Sequence, residues 1–255
     1  PIRLVATDAG IECRGQANED YTQALRQAAS EQEGCLQSIC AYIFKQSSPS
    51  CGVTRVKVYR GARFRREGTG IYAHELMRRF PELPVAEETT FEDPVLRANF
   101  IQRVFVTDRW QQMVEHGLSV AALSDFHARH KLVLLSHCQK TYRELNATLS
   151  QLNADTVPAL AHAYFRLLMR GLCRIETPGN HANVLQHLLG YLKDLDQMQR
   201  AELHESILDY QHGRIGLSQP LMLLRQYFAL YPHRWVAASW YLYPDARELE
   251  LISSP

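Results

Sequence analysis

Short apolar runs alternate with helix-like segments over roughly the first 90 residues of the chain. The apolar runs are IRLVAT near the start, an almost unbroken stretch at residues 36–44, a run at 53–59, and LPVAEE. Helical spacing covers residues 18–33, where Asn18 can cap the first turn and Gly34 can end the last, and residues 71–80. This alternation predicts a Rossmann-like α/β domain with a mainly parallel sheet, in which residues 36–44 form a fully covered central strand.

From Pro94 onward, strand patterns give way to apolar residues at helical spacing. The segment PVLRANFIQRVFVTDRWQQMVEH predicts one long helix that ends at Gly117 and joins two domains. Further helices are predicted at about 120–137, 139–152, 156–174, 181–195, 197–212 and 218–230. The aromatic tail WVAASWYLYPDARELELI is expected to form a short hairpin or a packed loop. We therefore predict an α/β domain over residues 1–110 and an all-α domain over residues 111–255.

Composition narrows the class of protein. The chain has 255 residues, of which 46% are hydrophobic, but no run of about 18 apolar residues, and its start lacks the features of a signal peptide. We therefore expect a cytoplasmic protein without a membrane span. The six cysteines do not show the paired spacing of a disulfide framework, which leaves a catalytic or metal-binding cysteine possible. The net charge is only +1, so any attraction for nucleic acid must come from local patches.

The segment KQSSPSCG, residues 45–52, contains side chains that are candidates for catalysis or ligand binding. It follows a predicted buried strand, and open α/β sheets keep their ligands at the carboxyl ends of such strands. Pro49 stiffens the loop, the serines supply hydroxyl groups, and Gly52 permits close backbone approach. From these residues alone, Cys51 can be a nucleophile, a metal ligand or a small buried side chain.

Two basic segments are compatible with RNA contact. Residues 55–66, RVKVYRGARFRR, hold six basic residues and no acid, and they predict RNA contacts at Arg63, Arg65 and Arg66. A spacing of four residues places a second set on one predicted helical stripe, suited to gripping phosphates: Arg166, Arg170 and Arg174. A solvated face without a partner is the alternative for both segments.

The histidines of FHARHK invite a metal interpretation, which their pattern does not favour. His127 and His130 lack the HExxH spacing of a metal site, so RNA contact or a structural role is preferred, with Arg129 and Lys131 as the predicted RNA contacts. His181 lies six residues before the next histidine, nearly on the opposite side of a helix, so that pair is not expected to bind one metal.

Several motifs, in the same order, resemble a known family. SSPSCG, VKVY, GTGIYAHELMRRFPELPV and LRANFIQRVF are similar to the thiouracil desulfidase family of bacterial iron–sulfur enzymes. In the second half, FHARHK, YRELN, HANVLQHLLGYLK and PLMLLRQYF resemble the YbgA-type helical domain that is often fused behind it. The resemblance covers nearly the whole chain. The fusion of these two parts resembles the enzymes that remove sulfur from 4-thiouridine in tRNA.

The resemblance implies a [4Fe–4S] cluster held by three cysteine thiolates, with one iron open to take the substrate sulfur while water attacks the carbon. Cys51 matches the third ligand and Ser48 matches an active-site serine. The partners implied are tRNA and a thiolated uracil. The RNA would be bound by the basic residues of both segments.

The family's other two ligands and its catalytic acid belong to an amino-terminal region. This sequence opens on Pro1, inside a strand-like run, and we expect that region to be missing from it. Cys35 and Cys40 would lie on opposite faces of a strand and Cys13 in a polar loop, so none of them is expected to replace the other ligands. Alternatives remain a desulfidase of free thiouracil or its nucleotides, and a nucleic-acid-binding protein without catalysis.

Overall fold

The computed structural model of the chain describes residues 1–8 and 10–253 and divides it into two compact units, residues 1–108 and 109–255. The first unit combines strands with helices, whereas the second unit is built from helices. The predicted layout of an α/β region followed by an all-α region is therefore confirmed. None of the described helices is both long enough and apolar enough to cross a membrane.

The first unit contains short strands and short helices in alternation. Its strands are β1 (Arg3–Thr7), β2 (Gly10–Arg14), β3 (Tyr42–Phe44), β4 (Val56–Arg60), β5 (Arg63–Gly68) and β6 (Val85–Glu87). Its helices are α1 (Thr22–Glu31), α2 (Glu33–Leu36) and α3 (Ile71–Arg79), with a 3₁₀ helix at Glu88–Glu92.

The strands form a four-stranded sheet of mixed direction and a separate parallel pair, not the single, mainly parallel sheet that the sequence predicts. One sheet has the order β2-β1-β4-β5, in which β1 and β4 are parallel and both outer pairs are antiparallel. The other sheet pairs β3 with β6 in parallel. Gly61 has a positive φ of 63°, which lets a tight turn fold β5 back on β4. The outer strands thus join by hairpins, without crossover helices.

The predicted central strand at residues 36–44 is wrong. Leu36 ends α2, only Tyr42–Phe44 is extended, and Ile43 is 54% exposed, so one face of this strand is uncovered. The helix predicted from Asn18 begins instead at Thr22, since Asn18 has a left-handed φ of 68° and cannot start it. Gly34 lies within α2 and does not end the preceding helix.

The long helix α4 (Pro94–Glu115) is followed by Gly117 with φ 110°, as predicted. The predicted helices each have a counterpart: α5 (Val120–His137), α6 (Gln139–Leu149), α7 (Val157–Leu172), α8 (Pro178–Tyr191), α9 (Gln197–Gln211) and α10 (Ser218–Leu230). The sequence predicts a short hairpin or a packed loop for the tail. Over the described residues the tail forms no hairpin: two short helices, α11 (Arg234–Ala237) and α12 (Ala246–Ser253), flank a loop that packs Leu242 into the core.

Candidate functional site

The loop that carries Cys51 lies at the carboxyl end of β3 and is held by the end of the neighbouring strand β6. The Glu87 carboxylate accepts hydrogen bonds from the backbone N–H groups of Val53, at 2.7 Å, and Thr54, at 3.3 Å. The Glu88 carboxylate accepts a hydrogen bond from the Gln46 N–H at 2.6 Å. Two adjacent glutamates thereby fix both ends of the loop, a role that the sequence analysis did not assign to them.

The middle of the loop is bonded to the first turn of α3. Backbone carbonyls of Pro49 and Ser50 accept hydrogen bonds from Ile71 and Ala73, both at 3.1 Å, so the loop satisfies amides that a helix start leaves open. Gly70 packs so closely that a Cβ there would lie 2.4 Å from the Ser50 carbonyl carbon. The loop is therefore fixed against a rigid helix start.

Ser48, Ser50 and Cys51 form a chain of side-chain contacts. The hydroxyl oxygens of Ser48 and Ser50 are 3.0 Å apart, and the Ser50 oxygen is 3.2 Å from the Cys51 sulfur. The Ser48 oxygen also accepts the backbone N–H groups of Ser50 and Cys51, each at 3.3 Å. Ser48 thus orients the loop with its lone pairs and keeps its hydroxyl hydrogen for Ser50 or a ligand. The sequence predicts only that Ser50 supplies a hydroxyl group to the loop, not that it contacts Cys51.

Cys51 is half-buried at the edge of an apolar core that includes Phe44 and Tyr72. Burial raises the pKa of the Tyr72 hydroxyl, and its hydrogen bond with Tyr42 raises it further, so Tyr72 stays protonated near Cys51. The loop therefore offers a thiol and two hydroxyl groups beside an apolar wall.

The other cysteines of the first unit lie in different surroundings. Cys13 was expected in a polar loop, but it lies on β2 with 0% exposure, where burial raises the pKa of its thiol. Cys35 lies exposed on α2 and Cys40 in the loop after it, not on one strand as expected. Over residues 1–8 and 10–253, no group of three or more histidine, cysteine or acidic side chains is arranged to hold a metal ion.

The predicted arginines on β5 do not share one face. All three are exposed, but alternation along the strand places Arg63 and Arg65 on one side and Arg66 with Phe64 on the other. The Phe64 ring lies 5.6 Å from Tyr59, and the Lys57 ammonium lies 4.7 Å above Phe64. We call the surface formed by Arg3, Lys57, Tyr59, Phe64 and Arg66 the aromatic sheet face.

The predicted helical stripe in the second unit is shorter than expected. Arg166 and Arg170 are exposed on α7, but that helix ends at Leu172, so Arg174 lies beyond it and leaves the stripe. Arg170 has a weak ion pair, 3.7 Å, with Glu144. Arg129 is bonded to Asp125 at 2.7 Å, and the neighbouring Lys131 is half-buried.

The buried histidines of the second unit have identifiable partners. His127 lies between the Tyr164 hydroxyl, at 3.1 Å, and the Asn146 side-chain oxygen, at 3.0 Å, and burial lowers its pKa to about 4. The Nε2 atom of His137 lies 3.1 Å from Glu176, whose other oxygen is 3.8 Å from His181. These contacts give His127 and His181 structural roles within the helical core.

Comparison with known proteins matches both halves of the chain. Residues 1–88 match the family described as 2-thiouracil desulfurase, and residues 131–245 match the family described as a protein of unknown function (DUF1722). The chain is 33% identical over 141 residues to the uncharacterized protein YbgA of Escherichia coli strain K12, which covers 54% of this chain and 83% of that protein. No solved structure matches.

Proposed function

Because the chain belongs to the family of Escherichia coli YbgA and carries a 2-thiouracil desulfurase region ahead of that part, we propose that it converts 4-thiouridine in tRNA to uridine. The observation that carries this proposal is the chain of contacts from Ser48 through Ser50 to the Cys51 sulfur, in a loop at the carboxyl end of β3. Ligand chemistry is expected at such a strand end.

The net reaction exchanges sulfur for oxygen. A water molecule adds to the thiocarbonyl carbon, the carbon–sulfur bond breaks, and sulfur leaves as hydrogen sulfide while the base regains a carbonyl group. No electrons are transferred overall, so no external oxidant or reductant is needed. The protons that this reaction moves must be carried by side chains of the chain itself. The Ser48 hydroxyl, which is linked through Ser50 to Cys51, is proposed to transfer them.

Cys51 is proposed as one thiolate ligand of a [4Fe–4S] cluster. A cluster of this kind needs at least three cysteine thiolates, and it would supply an open iron as a Lewis acid for sulfur. In the part of the chain that the structure describes, Cys13, Cys35 and Cys40 lie in a core strand, on an exposed helix and in a separate loop. The described residues therefore do not hold the cluster by themselves.

The tRNA part of the proposal is supported by two surfaces. On the aromatic sheet face, exposed Phe64 and half-buried Tyr59 are flanked by the cations of Arg3 and Lys57, a combination that binds unpaired bases and phosphates in single-stranded RNA. On the second unit, Arg166 and Arg170 offer positive charge along α7. Arg63, Arg65 and Arg174 are proposed as peripheral phosphate contacts.

The test uses the protein purified without oxygen. Iron and acid-labile sulfide are measured, and desulfuration is followed on tRNA that contains 4-thiouridine and on free 2-thiouracil. We expect iron, sulfide and activity on the tRNA in the wild type and in the Cys35→Ala control, whose cysteine is exposed. Cys51→Ala should lose all three.

Three results would contradict the proposal in different ways. Full activity of Cys51→Ala would show that Cys51 is not part of the active site. Tight tRNA binding by a wild-type protein that lacks iron and does not release sulfide would favour a nucleic-acid-binding protein without catalysis. Activity on 2-thiouracil alone would restrict the substrate to the free base.

A further inference from the structure

The four-stranded sheet of the first unit has two faces of opposite character. Side chains alternate along each strand, and the buried Leu4, Val56 and Val58 point to one face, where they pack with Ile71 of α3. The alternate positions point the other way and form the aromatic sheet face. Phe64 on this face is 48% exposed. The aromatic sheet face is therefore open to a partner in the described chain.

Strand pairing places the two aromatic rings of this face side by side. Tyr59 lies directly opposite Phe64, and their ring centroids are 5.6 Å apart. The neighbouring pair is Lys57 opposite Arg66. The Lys57 ammonium lies 4.7 Å from the centroid of Phe64. The Arg3 guanidinium lies 5.5 Å from the centroid of Tyr59. Rings and cations are thus grouped within one small surface.

The charge on this side of the sheet is positive. The four strands place these cations on it: Arg3, Arg14, Lys57 and Arg66. The acids of the same strands here are Glu12, which is bonded to Arg14 at 2.6 Å, and Glu67, the extra residue at the β5 bulge. Cations therefore outnumber acids by four to two, and this surface favours an anionic partner.

We propose that the aromatic sheet face binds a short single-stranded segment of RNA. One base stacks on Phe64 and the next on Tyr59, while the cations of the face hold the phosphates beside them. Aromatic side chains under the bases and positive charge along the backbone are the general means of binding single-stranded nucleic acid. An acidic protein would match the charges but not the paired rings, so RNA is the occupant that fits both.

The cations that lie over the rings do not prevent stacking. A cation–π contact at an exposed site is weaker than the stacking of a base on an aromatic ring. A base can therefore displace the Lys57 ammonium from Phe64, and the released ammonium then becomes available to a phosphate. Stacking does not distinguish among bases, since every base has a flat face, so we expect little sequence preference.

The loop of Cys51 packs on the other, buried face of this sheet. A Cβ on Gly52 would lie 2.5 Å from the Val56 side chain. The Pro49 carbonyl accepts the Ile71 N–H at 3.1 Å. The bases held on the aromatic sheet face are therefore different from the base proposed to react. The inference rests on the proposed function only for its role, in which this face anchors tRNA without contacting the thiolated base.

The test measures binding of a dye-labelled, unmodified oligouridylate of about eight nucleotides to the full chain by fluorescence anisotropy. We expect it to bind at least about fivefold more tightly than an RNA duplex of the same length, whose bases are already stacked. Phe64→Ala should weaken binding by roughly 5- to 100-fold, the cost of one stacked base, and Phe64→Trp should retain it. Ile11→Ala changes a side chain that is 40% exposed on the other face of the sheet, and it should leave binding unchanged.

A second pair of variants tests the charge. Arg66→Gln should weaken oligouridylate binding and flatten its salt dependence by about 0.7 of a unit of log–log slope, the value for one phosphate contact with a single strand. Arg65→Gln changes the neighbouring residue, which is paired opposite Val58 and lies on the other face, so its effect should be smaller. Equal effects of the two variants would show that the face does not define the site.

The oligouridylate contains no sulfur, so this test does not depend on the proposed desulfuration. Expected binding by a protein that does not desulfurate tRNA would overturn the proposed function and leave this inference standing. In a protein active on tRNA, Phe64→Ala should raise the KM for tRNA, since an anchor contact is the same in ground and transition states. Equally tight binding of the duplex, unchanged affinity in Phe64→Ala, or an equal loss in Ile11→Ala would overturn the proposal.

Discussion

The Ser50 hydroxyl oxygen lies 3.2 Å from the Cys51 sulfur, close enough to hydrogen-bond it. Ser50 is therefore the side chain that contacts the Cys51 sulfur directly. We predict that Ser50→Ala lowers desulfuration by roughly 10- to 100-fold, the usual cost of losing a partner of a metal ligand. Steady-state turnover and iron content measured on the same preparation check this. Wild-type values for both would show that the contact has no role.

Ser48 is expected to act on the substrate side of this contact. Ser48→Ala should retain bound iron but slow turnover by roughly 10²- to 10⁴-fold, the range for loss of a group that moves protons. Iron content, thermal unfolding and turnover distinguish the possibilities. Loss of iron would instead assign Ser48 to loop structure, because its oxygen also accepts the Ser50 and Cys51 backbone N–H groups.

Gly70 should tolerate no side chain. The Cβ of Gly70→Ala would lie 2.4 Å from Ser50 backbone atoms and 2.6 Å from the Cys51 nitrogen, so the loop must shift. We expect destabilisation by about 1–3 kcal/mol and a loss of desulfuration. Gly179→Ala is the control, since it adds a methyl group within α8 with nothing within 4 Å. Equal stability and activity of the two variants in urea unfolding and turnover assays would refute the packing argument.

The arginines of α7 should contribute to tRNA binding through charge alone. Replacing Arg166, Arg170 and Arg174 together by glutamine should raise the dissociation constant for tRNA and flatten its salt dependence, by somewhat less than one unit of log–log slope for each lost phosphate contact. Turnover of free 2-thiouracil should not change. Filter binding over a salt series measures the tRNA affinity and its salt dependence. Unchanged affinity would show that these arginines do not contact the tRNA.

Arg174 should contribute less than the other two, because it lies beyond the end of α7. The double variant Arg166→Gln, Arg170→Gln therefore serves as the comparison and should show most of the effect. Equal loss of tRNA binding and of free-base turnover would indicate misfolding instead.

The contact between Glu176 and His137 predicts acid sensitivity. Burial alone raises the pKa of Glu176, but the hydrogen bond and charge of His137 outweigh it and lower the pKa to about 2, from an ordinary 4.5. Because the folded state binds this proton less tightly, the contribution is fully present above about pH 4.5 and is lost as the pH falls toward 2.

Glu176→Gln should therefore lower the free energy of unfolding at pH 7, by about 1–3 kcal/mol. The difference from wild type should shrink at pH 3, where the wild type has begun to lose the same interaction. Urea unfolding at both pH values measures this, with Glu205→Gln on the exposed side of α9 as the control. A difference that is the same at both values would show that the carboxylate charge is not responsible.

The helices were predictable from the sequence because their signals are local. α5 begins where the Ser119 side chain accepts the Ala122 N–H, and α10 covers the predicted residues 218–230. The direction of the outer strands was not predictable in this way, since pairing partners are not encoded in the pattern of one strand. The positive φ of Gly61, which closes the β4–β5 hairpin, has no distinct signal in a run of basic residues.

In the candidate site, too, some residues were predictable from the sequence and others were not. Sequence motifs located Ser48 and Cys51 in one loop, because that loop is continuous. Glu87, which holds the loop, is 34 residues away from Val53 and could be found only once β6 was placed beside β3.

The position of β5 has a consequence for the protein when no RNA is bound. This strand is an edge of its sheet, so its outer backbone groups are open to pairing with a strand of another molecule. Arg63, Arg65 and Arg66 project from that edge, and like charges resist the approach of a second copy. The arginines proposed to attract RNA therefore also protect the protein from aggregation, and their replacement by neutral residues should lower its solubility.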